Sequence, residues 1–158
     1  MKIVYVFSSN KKIGSKLISR ASSYFDRDVR KAYKSTPVPS HVAVILDDMF
    51  VIESTLSTGV RVIPLSSWLS NNTVIQSVQS TSNTDKVSSA LLSVWGAKYD
   101  WLGILYFACK LLIPGLPKEN KWQNSRKYFC TEFAARLSGT KPDVTPARLY
   151  MELTGWNG

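Results

Sequence analysis

Two apolar segments separated by an acidic turn constrain the fold of this chain most strongly. The first is His41-Val-Ala-Val-Ile-Leu46 and the second is Met49-Phe-Val-Ile-Glu-Ser54, with Asp47-Asp48 between them. β-Branched and aromatic residues favour strands, and a short polar connection between two such runs predicts a β-hairpin. Both runs are apolar at consecutive positions, so we expect the hairpin to lie inside a sheet that is covered on both faces.

The rest of the pattern places further strands early in the chain and most helices late. Strands are expected at Lys2–Phe7, Gly59–Ile63 and Thr73–Val78. Helices are expected after the first strand and then, in chain order, at 64–69, 84–95, 101–113, 128–137 and 145–154, with a loop at 114–125. Thr84 or Asp85 can cap the helix at 84–95, and Gly139 and Gly155 are expected to end the last two helices. This is an α+β arrangement, with a small antiparallel sheet, and the length suits a single domain over residues 1–158.

The N-terminal region is strongly basic. Residues 1–34 hold nine Lys or Arg and two Asp, a net charge of +7 out of +9 for the chain. Apolar residues recur there at helical spacing, at Ile13, Leu17, Ile18, Ala21 and Phe25, and we expect them to face the core while the cations face solvent. A basic helix of this kind is either a solvated face or a surface for an anionic partner, namely membrane or nucleic acid.

No targeting or membrane-spanning segment is expected. The apolar run at Met1–Phe7 is too short for a signal peptide and no small-residue cleavage site follows it. The most apolar stretch, Trp101–Leu116, is interrupted by Lys110 and Pro114 and falls below the roughly 18 residues of a membrane span. The sequence therefore predicts a cytoplasmic protein.

The scarcity of reactive side chains narrows the chemistry. The chain has one histidine, His41, and two cysteines, Cys109 and Cys130. Cys109 lies in an apolar stretch and is expected to pack as a small hydrophobe. Cys130 lies in the first turn of a predicted helix, where unpaired N–H groups favour a thiolate. The two cysteines form no disulfide scaffold and no Cys/His cluster has metal-ligand spacing, so we expect no metal and no cofactor.

Glu53 is the acid best placed to assist His41. It is the only acid inside an otherwise apolar strand, where a charge without a partner is costly. His41 and Glu53 face the same side of the hairpin if the turn has an odd number of residues, about three, and opposite sides if it has two. In the odd register Glu53 can orient the imidazole and leave its other nitrogen for Cys130.

These residues carry a family resemblance. The chain resembles the circularly permuted branch of the NlpC/P60 papain-like superfamily, and within it the YiiX-like group of small bacterial and phage proteins. The resemblance covers about residues 38–150 and depends on four segments: Ser40-His41-Val42-Ala43-Val44, Val51-Ile52-Glu53-Ser54, Gly96-x-x-Tyr99-Asp100-x-x-Gly103 and Tyr128-Phe129-Cys130-Thr131-Glu132-Phe133.

The resemblance implies a papain-like fold, in which a helix carrying Cys130 packs against an antiparallel sheet carrying His41 and Glu53. It also implies thiol-based chemistry at an amide or ester carbonyl. Tyr99 matches the position whose ring and hydroxyl line the substrate cleft. Glu132 is expected to be structural and to bond N–H groups near the start of the helix.

The expected function is therefore a cysteine hydrolase that cleaves an amide or peptide bond, with cell-wall peptide as one substrate class. A phage-encoded or virion-associated protein could reach that substrate without a signal peptide. Two alternatives stay open. One is an acyltransferase or thioesterase that acts on lipid or thioester substrates at a membrane surface. The other is a non-enzymatic module that binds nucleic acid or a partner protein through its basic face, with Tyr24, Phe25 and Tyr33 among the cations as a stacking signature.

Overall fold

A five-stranded antiparallel sheet organises the fold. The computed structural model describes residues 2–10, 13–81, 83–100, 127–140 and 144–156, and these ranges combine helices and strands as an α+β structure. In chain order the described elements are β1 (Ile3–Ser9), α1 (Ile13–Phe25), α2 (Arg27–Ala32), β2 (His41–Leu46), β3 (Phe50–Thr55), β4 (Gly59–Pro64), α3 (Leu65–Leu69), β5 (Thr73–Gln79), α4 (Thr84–Val94), α5 (Cys130–Ser138) and α6 (Pro146–Thr154).

The predicted hairpin lies in the middle of the sheet. The strand order is β4-β3-β2-β1-β5, so β2 is the central strand and β3 is its neighbour. Val42, Ala43 and Val44 of β2 have no exposed surface. Since both faces of these strands are covered, the consecutive apolar residues of the hairpin all find apolar surroundings, as expected.

Different elements cover the two faces of the sheet. One face carries the main core, in which the buried residues are Ile3, Tyr5, Phe7, Val42, Val44, Ile52, Val60, Val87, Leu91, Val94, Cys130, Phe133, Ala134, Leu137 and Leu149. On the other face, Trp68 of α3 packs on Val6, Ala43 and Val51. The helix α5 therefore packs on one side of the central strands, and α3 packs on the other.

Helix ends follow the predicted signals with some corrections. Gly139 and Gly155 end α5 and α6 with positive φ angles, as expected. α4 is capped by Asn83, whose side chain accepts the Asp85 N–H, rather than by Thr84 or Asp85. α5 begins at Cys130, so Tyr128 precedes the helix instead of starting it.

The N-terminal helices depart furthest from expectation. α2 was not predicted; the Asp26 carboxylate caps it by accepting the N–H groups of Asp28 and Val29. The expected buried stripe of α1 is wrong, because Leu17 and Phe25 are exposed. The helix predicted at 101–113, the loop at 114–125 and Cys109 lie outside the described residues. Within the described ranges, no helix combines the length and the apolar character needed to cross a bilayer.

Two chain segments meet beside β4 and bring later residues to the sheet. The Val60 N–H donates to Ala97 O at 2.9 Å, and the Tyr128 N–H donates to Lys98 O at 3.0 Å. The Ser54 hydroxyl donates to Tyr128 O at 2.5 Å. These bonds fix the residues that immediately precede Tyr99 and Cys130 against β3 and β4.

Gly59 makes this meeting possible, and its replacement should be costly. Its φ angle is +69°, and a Cβ there would lie 2.3 Å from Ala97 O and 3.0 Å from Lys98 Cα, both backbone atoms. We expect Gly59→Ala to lower the free energy of unfolding by about 3 kcal/mol, because left-handed strain adds to the collision. Urea unfolding followed by circular dichroism measures this loss.

Gly96→Ala is the matched control for this substitution. Gly96 has a φ angle of +71°, but a Cβ there meets no described atom within 4 Å. Gly96→Ala should lower the free energy of unfolding by about 1 kcal/mol, from backbone strain alone. Equal losses for the two variants would contradict a tight contact between Gly59 and the 97–98 segment.

Candidate active site

The three side chains expected to act together do meet. His41 is the first residue of β2, and its Nε2 lies 2.8 Å from Glu53 Oε2. Cys130 is the other group close enough to act on the imidazole, and it raises the pKa of His41. Because Nε2 is engaged by Glu53, Nδ1 is the ring nitrogen left for the sulfur. The sole histidine therefore connects a carboxylate with a thiol.

The hairpin turn explains why His41 and Glu53 share a face. Leu46 pairs with Phe50, so the turn contains three residues, 47–49, and Met49 belongs to the turn rather than to the strand. Because the number of turn residues is odd, positions 41 and 53 lie on the same side of the sheet, as a contact between His41 and Glu53 requires. The register Val44↔Ile52 places the two residues diagonally rather than directly opposite, a separation that long side chains bridge.

Glu53 is buried and fully engaged by hydrogen-bond donors. It is 2% exposed, and its Oε1 accepts from Arg61 Nε at 2.9 Å and Nη2 at 2.6 Å. Its Oε2 accepts from Trp68 Nε1 at 2.9 Å in addition to the contact with His41. Arg61 lies directly across from Glu53 in the β3–β4 pair. The carboxylate is thus held from three sides, and its orientation toward the imidazole is set.

Charge pairing shifts the pKa values of both His41 and Glu53. Burial alone would lower the pKa of His41, but hydrogen bonds with Cys130 and Glu53 and the negative charges of both raise that pKa from 6.5 to about 10. Burial alone would raise the pKa of Glu53, but hydrogen bonds from His41, Arg61 and Trp68 and the charge of His41 lower it from 4.5 to about 2. Near neutral pH the pair is therefore an imidazolium and a carboxylate.

Cys130 occupies the first position of α5. The first-turn N–H groups of a helix have no acceptor within the helix, and its N-terminus carries partial positive charge. Glu132 Oε2 accepts the Phe129 N–H at 3.2 Å, which confirms the expected structural role of Glu132 at this helix start. Cys130 itself is 6% exposed and is the free cysteine among the described residues.

Tyr99 lies next to this group. It is half-buried, and burial raises its pKa, as do the nearby negative charges of Cys130, Glu132 and Asp100. The phenol therefore stays protonated at neutral pH and can donate a hydrogen bond near the sulfur. Its expected contact with substrate remains a prediction.

Sequence reasoning missed Arg61 and Trp68. Arg61 is the only charged residue inside the apolar run Gly59–Ile63, and a three-residue turn at 56–58 places it opposite Glu53. That alternation was a usable signal. Trp68 gave no such signal, because its contact with Glu53 depends on where the short helix α3 packs.

The chain was also compared with known proteins. It matches no protein-family model, no curated protein and no solved structure. Among the described residues, no group of three or more His, Cys, Asp and Glu side chains is arranged to hold a metal ion. The interpretation of the site therefore depends on its own geometry.

The His41–Glu53 pair should make the free energy of unfolding depend on pH in two windows. The Glu53 contribution is present above about pH 4.5 and is lost as the pH falls toward 2; the His41 contribution is present below 6.5 and is lost as the pH rises toward 10. We expect Glu53→Gln to be less stable than the wild type by on the order of 3 kcal/mol near pH 5.5, with the difference shrinking toward both extremes. Urea unfolding at a series of pH values measures this difference.

Lys2→Gln provides the control, because Lys2 pairs with Asp48 at the exposed surface. It should change the free energy of unfolding by less than about 1 kcal/mol at any pH. A difference between Glu53→Gln and wild type that stays constant with pH would contradict a charged His41–Glu53 pair.

Proposed function

We propose that this chain is a cysteine hydrolase of permuted papain-like type that cleaves an amide or peptide bond. The observation that supports the proposal best is the position of the imidazole. Its Nε2 is hydrogen-bonded to a buried carboxylate, and the thiol at the first residue of α5 is close enough to raise the pKa of the ring. A nucleophile, a base and a group that orients the base are the parts that covalent catalysis at a carbonyl requires.

The reaction follows from these roles. The Cys130 thiolate attacks the carbonyl carbon and forms a C–S bond, while the carbonyl oxygen takes up the electron pair. When the tetrahedral intermediate collapses, the C–N bond breaks and His41 gives its proton to the leaving amine. Water, deprotonated by His41, then hydrolyses the thioester, releasing the acid and regenerating the pair.

Backbone donors would stabilise the intermediate. The Cys130 N–H lies at the open end of α5, and partial positive charge collects there. An oxyanion that forms on the carbonyl beside the sulfur would accept from this group. Tyr99 supplies a second candidate contact, since its protonated phenol lies near the thiol.

The protonation state of His41 favours an amide substrate. An amine is expelled from a tetrahedral intermediate only when it receives a proton, whereas an alkoxide or thiolate leaves more readily. Its pKa of about 10 keeps His41 protonated at neutral pH, so the acid that this step needs is present before attack. The order of the motifs, with the histidine strand before the cysteine helix, agrees with the permuted NlpC/P60 pattern.

Acyl transfer from a lipid or thioester is the second candidate. It uses the same acyl-enzyme and differs in the acceptor that resolves it. It is favoured by the exposed apolar side chains of α1, Leu17 and Tyr24, which suit contact with a membrane surface.

The His41–Cys130 contact should make Cys130 reactive toward a small electrophile. In a Cys109→Ser background Cys130 is the sole thiol, so iodoacetamide labelling followed by intact mass reports on it alone. We expect His41→Ala to slow alkylation at neutral pH by about tenfold, because the imidazolium no longer stabilises the thiolate. Glu53→Gln should slow it by a smaller factor.

Two controls accompany this labelling. Lys86→Gln removes an exposed cation on α4 and should leave the rate within about twofold of the parent. Circular dichroism verifies that each variant is folded. Equal rates in the parent and a folded His41→Ala variant would rule out the thiol–imidazole pairing.

An activated ester tests the acyl-enzyme itself. p-Nitrophenyl acetate should release a stoichiometric burst of nitrophenolate and leave one acetyl group on Cys130, located by peptide mass spectrometry. Cys130→Ala should abolish the burst, and His41→Ala should lower turnover about a thousandfold or more, because the two groups act as a unit. Unchanged turnover in Cys130→Ala would exclude a cysteine hydrolase.

A further inference from the structure

α1 turns polar residues toward the protein and large apolar residues toward solvent, which is the reverse of an ordinary amphipathic surface helix. Ser15 and Ser22 face the protein and are 9% and 2% exposed, whereas Leu17 and Tyr24 face outward and are 60% and 76% exposed. Phe25 is also exposed, and its ring meets that of Tyr24 edge-on at a centroid distance of 4.8 Å. A soluble helix normally buries its large apolar residues, so this arrangement points to a partner surface.

Hydrogen bonds hold the inward side of α1 in place. The Ser15 and Ser40 hydroxyls bond to each other, and the Ser19 hydroxyl donates to Val38 O at 2.7 Å. Rotating the helix to bury its apolar residues would break these bonds and bury hydroxyls without partners. The outward position of Leu17 and Tyr24 is therefore built into the packing.

The region around α1 and α2 is also electropositive. Six cations on and around α1 and α2 are exposed, and none of them makes an ion pair with another described residue: Lys16, Arg20, Arg27, Arg30, Lys31 and Lys34. The two acids of this region, Asp26 and Asp28, are paired with Arg148 of α6, at 2.9 and 3.1 Å. Arg148 thus offsets one of their two negative charges from the protein side.

Apolar and basic groups line one open groove. Leu17, Arg20 and Tyr24 fall at i, i+3 and i+7 on one side of α1, and Phe25 and Arg30 border the same groove. We call Leu17, Arg20, Tyr24, Phe25 and Arg30 the basic apolar face. It combines a hydrophobic strip with cations at its rim.

We propose that the basic apolar face binds the surface of an anionic phospholipid membrane. Leu17, Tyr24 and Phe25 enter the boundary between headgroups and acyl chains, and Arg20 and Arg30 contact lipid phosphates. A nucleic acid would use the same cations, but the aliphatic Leu17 gains little from a phosphate backbone. The complementarity of charge together with exposed aliphatic surface favours the bilayer.

The face is joined to the candidate active site. Ser15 contacts Ser40, which immediately precedes His41, and α1 also contacts Val38. Membrane docking would therefore hold the His41-bearing strand near the lipid surface. The proposal itself does not depend on cysteine chemistry, so Cys130→Ala should bind membranes as the wild type does.

Vesicle sedimentation tests the proposal. The wild type should sediment with vesicles containing about one third phosphatidylglycerol and not with pure phosphatidylcholine, and salt at about 0.5 M should weaken the binding. Leu17→Ser should weaken it about tenfold, since the lost apolar burial is large. Arg20→Gln should weaken it about fivefold.

The controls lie on α4, away from this face. Leu92→Ser removes a side chain that is 77% exposed, and Lys86→Gln removes an exposed cation. Both should bind as the wild type does. Circular dichroism verifies that all variants are folded.

Four outcomes would overturn the proposal. The first is a wild type that fails to sediment with anionic vesicles at about 0.05 M salt, where electrostatic attraction is strong. The second is a Leu17→Ser variant that binds normally while Arg20→Gln is weakened, which indicates a polyanion site such as one for nucleic acid. The third is equal weakening by Leu92→Ser, and the fourth is loss of binding in Cys130→Ala.

Discussion

The buried carboxylate of Glu53 is the constraint on which the site depends. A charge inside a sheet is unstable without partners, and here four hydrogen bonds satisfy it from β2, β4 and α3. Each of those elements must therefore pack in one position relative to β3. A shifted Arg61 would leave Oε1 without a donor, and a shifted Trp68 would remove one of the two donors to Oε2.

The same constraint determines how His41 can act. A carboxylate on Nε2 fixes the ring orientation and directs the opposite nitrogen toward Cys130. The imidazolium is paired with the Glu53 carboxylate, and Arg61 contacts the other oxygen of that carboxylate. Such a chain of alternating charges is stable when buried only if every member is present, so loss of one group affects the others. Under the proposed function, this coupling ties the reactivity of Cys130 to residues that it does not touch.

α1 illustrates a different balance between packing and exposure. Its serines bond to the protein body, and its large apolar residues are left outside. In the free protein these apolar side chains stay exposed to water, and they remain available for burial against a partner. The hydrogen bond between Ser15 and Ser40 links the inward side of α1 to the residue that precedes His41. The basic apolar face and the group of His41, Glu53 and Cys130 share no residue.

The sequence alone determined the local features: β-branched runs gave the strands, Gly139 and Gly155 marked helix ends, and a single histidine left one imidazole base to consider. From the sequence, the pairing of His41 and Glu53 depends on the number of residues in the hairpin turn. That number stayed undetermined, because Met49 suits a strand or a turn. Tertiary structure decided that question, since the register Leu46↔Phe50 sets three turn residues. It also decided which side of α1 is covered, because a helical pattern shows an apolar stripe and not the surface that it meets. Arg61 and Trp68 came to Glu53 through strand pairing and helix packing, and such contacts follow from the fold as a whole rather than from local preference.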